Sequence, residues 1–214
     1  MVDILETFTA SLVLATILGY LVGALPIADR VSRRKGIDIF SAGTRLAGAS
    51  NVRKSVGNFP AAVVLLGDLG KGALTVLAAR AIGLEGVWLL VPALAAIVGH
   101  WYSVFSDFRG GDALGTLGGI ILALFPIFGV ISLIMATVVS LGGQKMPYTS
   151  LLGVLAGYFM LLILNLTYET HITLTLGVGG LCLLVLGHAI RGHLNRRQDA
   201  KWDGLINTNE AASQ

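Results

Sequence analysis

Long apolar stretches separated by short polar ones set the pattern of this chain. The apolar runs cover residues 8–28, 59–82, 86–105, 114–140, 148–166 and 172–190. Each is near or above the ~20 residues that an α-helix needs to cross a bilayer. The pattern predicts an all-α bundle embedded in a membrane. The fourth run has Pro126 near its middle, and proline removes a helix hydrogen bond. A break there would give two short segments, whose ends the surrounding protein must shield.

The placement of charge bears on how many times the chain crosses. The first polar segment carries Arg30, Arg33, Arg34, Lys35, Arg45, Arg53 and Lys54, so the positive-inside bias puts it in the cytoplasm and the N-terminus outside. Six spans would leave Arg191, Arg196, Arg197 and Lys201 outside. Seven put them inside, with Lys145 also inside and Glu169 outside. The expectation is therefore a bundle of seven transmembrane helices, with short or broken helices near Pro126 and glycine-rich elbows on the cytoplasmic face.

Composition agrees. The chain is 55% hydrophobic and 13% charged, with a mean hydropathy of +0.80, against roughly a quarter charged residues in soluble domains. No large soluble domain fits: residues 1–197 read as one polytopic domain and 198–214 as a short polar tail. Asp3 and Glu6 precede the first run, so it lacks the basic flank of a cleaved signal peptide and reads as a span. The single Cys182 allows no intrachain disulfide or cysteine-based metal site, and neither metal nor cofactor is expected. A net charge of +3, carried by loops that report topology, does not point to nucleic acid.

Between the first two runs lies GIDIFSAGTRLAGASNVRKSVG, residues 36–57. Glycine lets backbone N–H groups approach an anion unobstructed. Thr44, Ser50 and Asn51 add neutral donors, and Arg45, Arg53 and Lys54 add positive charge. This is the chemistry of a phosphate cradle at a membrane surface. A second elbow, FRGGDALGT (residues 108–116), pairs Gly110 and Gly111 with Arg109 and opens a helix, a geometry suited to anions. The end of the last run, GHAIRGHLNRR, offers His188, Arg191, His193 and Asn195 on the same face, or serves only as a basic anchor. Asp68 and Lys71 lie three apart in the second run and can pair, which marks a helix face turned from lipid. No H-x4-D spacing, P-loop, H-E-x-x-H or G-x-S-x-G occurs, which argues against an acyltransferase with a His–Asp general base, and no covalent nucleophile is evident.

These residues resemble the bacterial acyl-phosphate:glycerol-3-phosphate acyltransferase family (PlsY). KGIDI leading to AGASNVRKSVG is similar to that family's KGIDIRxxGSGNxGATNVxRxxG. GDLGKG resembles its LDxxKG, GHWYSVFSDFRGG its GHxxPVFxxFKGG, and the closing GHLNRR its ENIxRL. The resemblance implies seven membrane helices in a bacterial plasma membrane, with a cytoplasmic active site. It also implies transfer of a fatty acyl group from acyl-phosphate to the 1-hydroxyl of glycerol 3-phosphate, giving lysophosphatidic acid for phospholipid synthesis. Membrane lipids would surround it. Under this reading Thr44, Lys54 and His100 are the catalytic candidates. Gly43, Arg45, Asn51, Arg53, Arg109, Gly110, Gly111, Asp112, Thr116, His193 and Asn195 are the substrate-binding ones.

The chain departs from the pattern within its motifs. Gly43-Thr44-Arg45-Leu46 stands where the family has GSGN, and Gly110-Gly111-Asp112-Ala113 where it has GGKG. At ~4 Å and an effective dielectric near 20, a unit-charge pair is worth roughly 4 kcal/mol, so a carboxylate at the lysine's place opposes phosphate binding. Arg45 is the expected compensator, through an ion pair with Asp112 across the two elbows. The alternatives are a variant with another acceptor and a catalytically degenerate lipid-binding relative.

Overall fold

The computed structural model describes the backbone of residues 2–143 and 149–212, and the side chains of residues 5–143 and 149–194. Among them there are no strands. The helices are α1 Val2–Gly23, α2 Ile27–Arg33, α3 Ala49–Ser55, α4 Asn58–Ala81, α5 Leu90–Trp101, α6 Leu114–Leu124, α7 Pro126–Gly142, α8 Thr149–Thr167 and α9 Ile172–Ala212. Short 3-10 turns at Gly86–Leu89 and Val104–Ser106 flank α5. Among the described residues, five stretches are long and apolar enough to cross a bilayer, namely Leu5–Arg33, Asn58–Ala81, Gly86–Ser106, Thr149–Thr167 and Ile172–Leu194. The chain is a multi-pass membrane protein. Large apolar side chains such as Phe59, Leu66, Ile127 and Leu183 stand exposed on its helices, as lipid-facing surfaces require.

The run 114–140 breaks where proline predicts. α6 ends at Leu124 and α7 starts on Pro126 as its first residue, a position where the missing N–H would have had no helical partner. The broken end is covered by protein: Arg80, in the last turn of α4, donates from Nη1 to the Ala123 carbonyl at 3.0 Å. At 11 residues, α6 is only about 16 Å long. It is short because its start is recessed. Gly115, in its first turn, lies against Asp68, ten residues into α4 (58 to 68) and about 15 Å along that helix. The second elbow therefore dips into the bundle, and α6 covers only the half of α4 that ends at Arg80.

The helices that position the elbows meet through small residues. α1 runs beside α5, and α4 beside α6, with Gly72 and Gly119 letting the latter two backbones touch, the usual way membrane helices approach closely. The main core joins α1, α4, α5, α6 and α9 around Val76, Leu84, Ile97, Ile120, Val178 and Val185. A second, smaller core holds Ala28, Ile39, Val52, Ala61 and Val64. It pins α2, α3 and the segment between them onto α4, so the basic first segment is a folded cap. α9 continues unbroken through Ala212, past the boundary at Arg197 that its polar composition suggests. Lys145, used in the charge argument, lies outside the described residues.

Candidate functional site

The first elbow is organised by one amide. Asn51, in α3, is buried, and its Nδ2 donates to the carbonyls of Ala42 and Leu46, each at 3.0 Å, and of Ile39 at 3.2 Å. Its Oδ1 accepts the Thr44 N–H at 3.0 Å and the Ser55 hydroxyl at 3.3 Å. An amide has two donors and one acceptor oxygen, so Asn51 is fully engaged with the loop. Its place is as the loop's internal brace; the sequence reading put it against substrate. Gly43 sits directly against the Asn51 and Ser55 side chains. Asn51→Ala should remove about three net hydrogen bonds at roughly 1 kcal/mol each. The expected loss is ~3 kcal/mol, visible as a lower Tm and faster proteolysis between residues 36 and 57.

Thr44, Arg45, Arg53 and Lys54 are exposed on this cap. Arg53 and Lys54 occupy the last turn of α3. Arg45 adopts φ +58°, the left-handed conformation that usually selects glycine, at the place where the resembling motif has one. Its N–H closes a turn onto the Ala42 carbonyl at 3.0 Å. Among the ion pairs seen between described residues, none joins Arg45 to Asp112, so the expected bridge across the elbows is not found there. The left-handed turn leaves Arg45 in the solvent-facing part of the cap, whereas Asp112 lies half-buried, its carbonyl taking the Trp101 Nε1–H at 3.4 Å.

The two elbows are joined by other contacts. The Ala47 N–H donates to the Gly110 carbonyl at 3.1 Å, and the Gly111 N–H donates to the His100 carbonyl at 3.2 Å. A Cβ at Gly110 would strike the carbonyls of His100 and Trp101; one at Gly111 would strike the Ala47 carbonyl and His100 Nε2. Arg109 adds a cation–π contact, its guanidinium carbon 4.5 Å from the Phe40 ring centre, and lies 3.6 Å from the Asp107 carboxylate. Phe40 is a residue that sequence reasoning passed over; nothing in its apolar character marks it as the seat of a cation.

Beneath this junction lies a buried polar cluster. Lys71 Nζ pairs with Asp68 Oδ1 at 2.9 Å and reaches the Leu25 carbonyl at 3.4 Å. His100 Nδ1 lies 3.1 Å from Thr116 Oγ1 and 3.7 Å from Asp68 Oδ1. Thr116 is wholly buried behind the ring, so it supports His100 and does not line an open surface. A cavity of about 20 Å³ runs among Pro26, Asp68, Lys71, His100, Arg109 and Gly110, enough for a single water. From the side, His188 of α9 stacks on Trp101 with centroids 4.4 Å apart, which brings the end of the last apolar run to the second elbow. His193 lies further along α9, and the Asn195 side chain is outside the described residues.

Two basic, glycine-bearing elbows held together over a buried charged cluster define a class: a polytopic helical membrane protein with a basic, glycine-rich face. A family model described as glycerol-3-phosphate acyltransferase matches residues 13–196. The chain belongs to the glycerol-3-phosphate acyltransferase family. Among curated relatives, glycerol-3-phosphate acyltransferase 1 of Deinococcus radiodurans is 41% identical over 128 residues, 60% of this chain and 65% of that one. The enzyme of Rubrobacter xylanophilus is 41% identical over 140 residues, 65% and 68% of the two chains. Glycerol-3-phosphate acyltransferase 4 of Dehalococcoides mccartyi is 37% identical over 173 residues, 78% and 73%. The first of these matches thus spans just under two thirds of the relative. The glycerol 3-phosphate form of PlsY (YgiH), an integral membrane glycerol 3-phosphate acyltransferase, superposes with a TM-score of 0.71 at 24% identity, over 87% of this chain and 94% of that one. A lysophosphatidic acid form gives 0.66 at 23%. At that identity the likeness is one of fold.

Proposed function

We propose that this protein transfers a fatty acyl group from acyl-phosphate to the 1-hydroxyl of glycerol 3-phosphate, releasing lysophosphatidic acid and inorganic phosphate. The carrying observation is the hydrogen bond from Ala47 to Gly110, which holds two cationic, glycine-rich elbows side by side. Both substrates bear phosphate, and phosphate is already a good leaving group. Positioning and charge stabilisation therefore account for most of what the site must supply. Arg45, Arg53 and Lys54 on the cap and Arg109 on the elbow are the cations for the two phosphates. A cavity of about 530 Å³, lined by Leu183, Leu184, His188 and Arg191, suits an acyl chain entering from lipid with its charged end at the basic rim. The chain crosses a bacterial plasma membrane seven times, with α6 and α7 completing the count. Its N-terminus is outside, and the elbows and C-terminus are cytoplasmic, a reading supported by the distribution of Arg and Lys.

Purified full-length protein given palmitoyl phosphate and glycerol 3-phosphate should release phosphate and form the lysolipid. Lys54→Ala removes an exposed cation and should raise the KM for glycerol 3-phosphate about tenfold, roughly the 1.4 kcal/mol of one phosphate contact. A second reading is favoured by Asp112 alone: a carboxylate where the resembling motif has lysine suits an acceptor bearing a hydroxyl or amine. Turnover with such an alcohol, and none with glycerol 3-phosphate, would establish it. Silence with every acceptor, relieved by Asp112→Lys, would mark a degenerate site.

A further inference from the structure

The loop that leads from α5 into the second elbow is built inside out. Tyr102, Val104, Phe105 and Phe108 all stand exposed, Phe105 at 50% and Phe108 at 63%. The two serines among them, Ser103 and Ser106, are only 4% and 5% exposed. A loop in water shows the reverse, with polar side chains outward and apolar ones covered. The arrangement is held firmly. Ser103 Oγ donates to the Ala24 carbonyl, just past α1, and accepts the Phe105 N–H at 3.2 Å. The Phe108 N–H returns to the Ser103 carbonyl at 2.9 Å. Asp107 and Phe108 take left-handed conformations, φ +53° and +57°, which residues other than glycine adopt only in fixed turns.

Scattered apolar side chains on a surface mean little, but a contiguous patch marks an interaction site. Three observations point to lipid as what covers this one. The first is continuity. Tyr102 shares a cavity with Leu183 and Leu184 of α9, both exposed, and Ser103 is tied beside the exposed Leu25. The loop therefore bridges two lipid-facing surfaces. The second is length. α5 has 12 residues and the 3-10 turn before it has four, which together extend about 26 Å. That falls short of the ~30 Å hydrocarbon core. The apolar stretch of spanning length is Gly86–Ser106, and it includes this loop as far as Ser106. The third is the backbone. Irregular chain at membrane depth needs its polar groups satisfied by protein. The N–H groups of Tyr102, Phe105, Ser106, Phe108 and Arg109 each have a protein acceptor, and the Tyr20 hydroxyl donates to the Tyr102 carbonyl at 2.9 Å.

We propose that this loop is immersed in the bilayer at the boundary between acyl chains and headgroups. Tyr102, Val104, Phe105 and Phe108 face the acyl side, and Asp107 marks the headgroup level. Asp107 sets the depth, because its side chain is 91% exposed and a carboxylate is costly inside hydrocarbon. Gly110 and Gly111 follow directly, so the immersed loop holds the junction of the elbows level with the lipid surface. A lipid-borne molecule then reaches that junction without leaving the bilayer, whichever reaction follows.

The test uses the full-length protein in vesicles of phosphatidylcholine and phosphatidylglycerol. Cys182→Ala removes the single thiol, and one nitroxide at a time is attached through Phe105→Cys, Phe108→Cys or Asp107→Cys. Collisions with oxygen, which concentrates in lipid, and with a nickel chelate, which stays in water, give the depth of each label. The labels at positions 105 and 108 should lie about 5–10 Å beneath the phosphates, and the label at position 107 level with them. Val104→Cys repeats the measurement with a smaller change of side chain, and carries the test if a phenylalanine variant fails to fold. Labels at 104, 105 and 108 as open to the nickel chelate as those of a water-exposed loop would overturn the proposal and leave the patch to a soluble partner. Equal depth at all positions, 107 included, would overturn it too, because the loop would then have no face turned to lipid.

Discussion

Replacing Gly111 by alanine should lower kcat/KM by about 100-fold while leaving the protein folded in the membrane. The added Cβ would meet the Ala47 carbonyl on one side and His100 Nε2 on the other. Neither neighbour can retreat easily. Ala47 is tied to Gly110 through its N–H at 3.1 Å, and His100 holds the Gly111 N–H on its own carbonyl at 3.2 Å. The strain is relieved by parting the two elbows, and the helices behind them stay in place. A displacement near 1 Å at a site that works by positioning costs about two orders of magnitude in rate. The measurement is steady-state kinetics for both substrates beside a thermal melt in detergent. A drop in kcat/KM with a Tm within a few degrees is the expected outcome. An unchanged kcat/KM would mean that the junction of the elbows is not where the substrates meet.

The same junction shows what sequence reasoning reaches. Apolar runs of near-membrane length, the break at Pro126 and the pairing of Asp68 with Lys71 each depend on residues close along the chain, where period and spacing decide the outcome. Each is visible in the helices and contacts described. The meeting of the elbows was also suggested, because both bear glycine and arginine and a common membrane face limits where they can go. What spacing could not supply were contacts between residues far apart. His100 and Asp68 are 32 positions apart (100 − 68), and only the recessed start of α6 beside α4 brings the ring, the carboxylate and Thr116 together. Asn51 has the side chain of a ligand-binding residue, and its five contacts to the loop around it become evident only once that loop is folded.

Arg45 is the instructive failure. One unexpected positive charge and one unexpected negative charge suggested a pair, yet Arg45 sits exposed in a left-handed turn at φ +58° while Asp112 is half-buried. Charge complementarity in sequence carries no distance; the backbone conformation supplies it. Arg45 is left exposed on the cap, and Arg109 takes the inner position, its guanidinium against Phe40 and beside the small polar cavity.

The buried pair beneath the elbows should dominate stability. Lys71 and Asp68 are both nearly inaccessible and 2.9 Å apart. Removing one partner strands a charge in surroundings that cannot solvate it, which typically destabilises by about 3–5 kcal/mol. Lys71→Met alone should therefore lower the Tm by roughly 10 °C, at the 2–4 °C per kcal/mol expected for a chain of this size. Exchanging both partners for uncharged residues of similar volume removes the stranded charge, so Lys71→Met with Asp68→Asn should recover most of that loss. The two effects are then strongly non-additive, as residues in direct contact require. Thermal melts of the wild type, both single variants and the double variant in one detergent complete the cycle. Additive losses would mean that the two charges are stabilised separately, Lys71 by the Leu25 carbonyl it reaches at 3.4 Å and Asp68 by the water that its small cavity has room to hold. In that case the pair would not be the strut on which the second elbow rests.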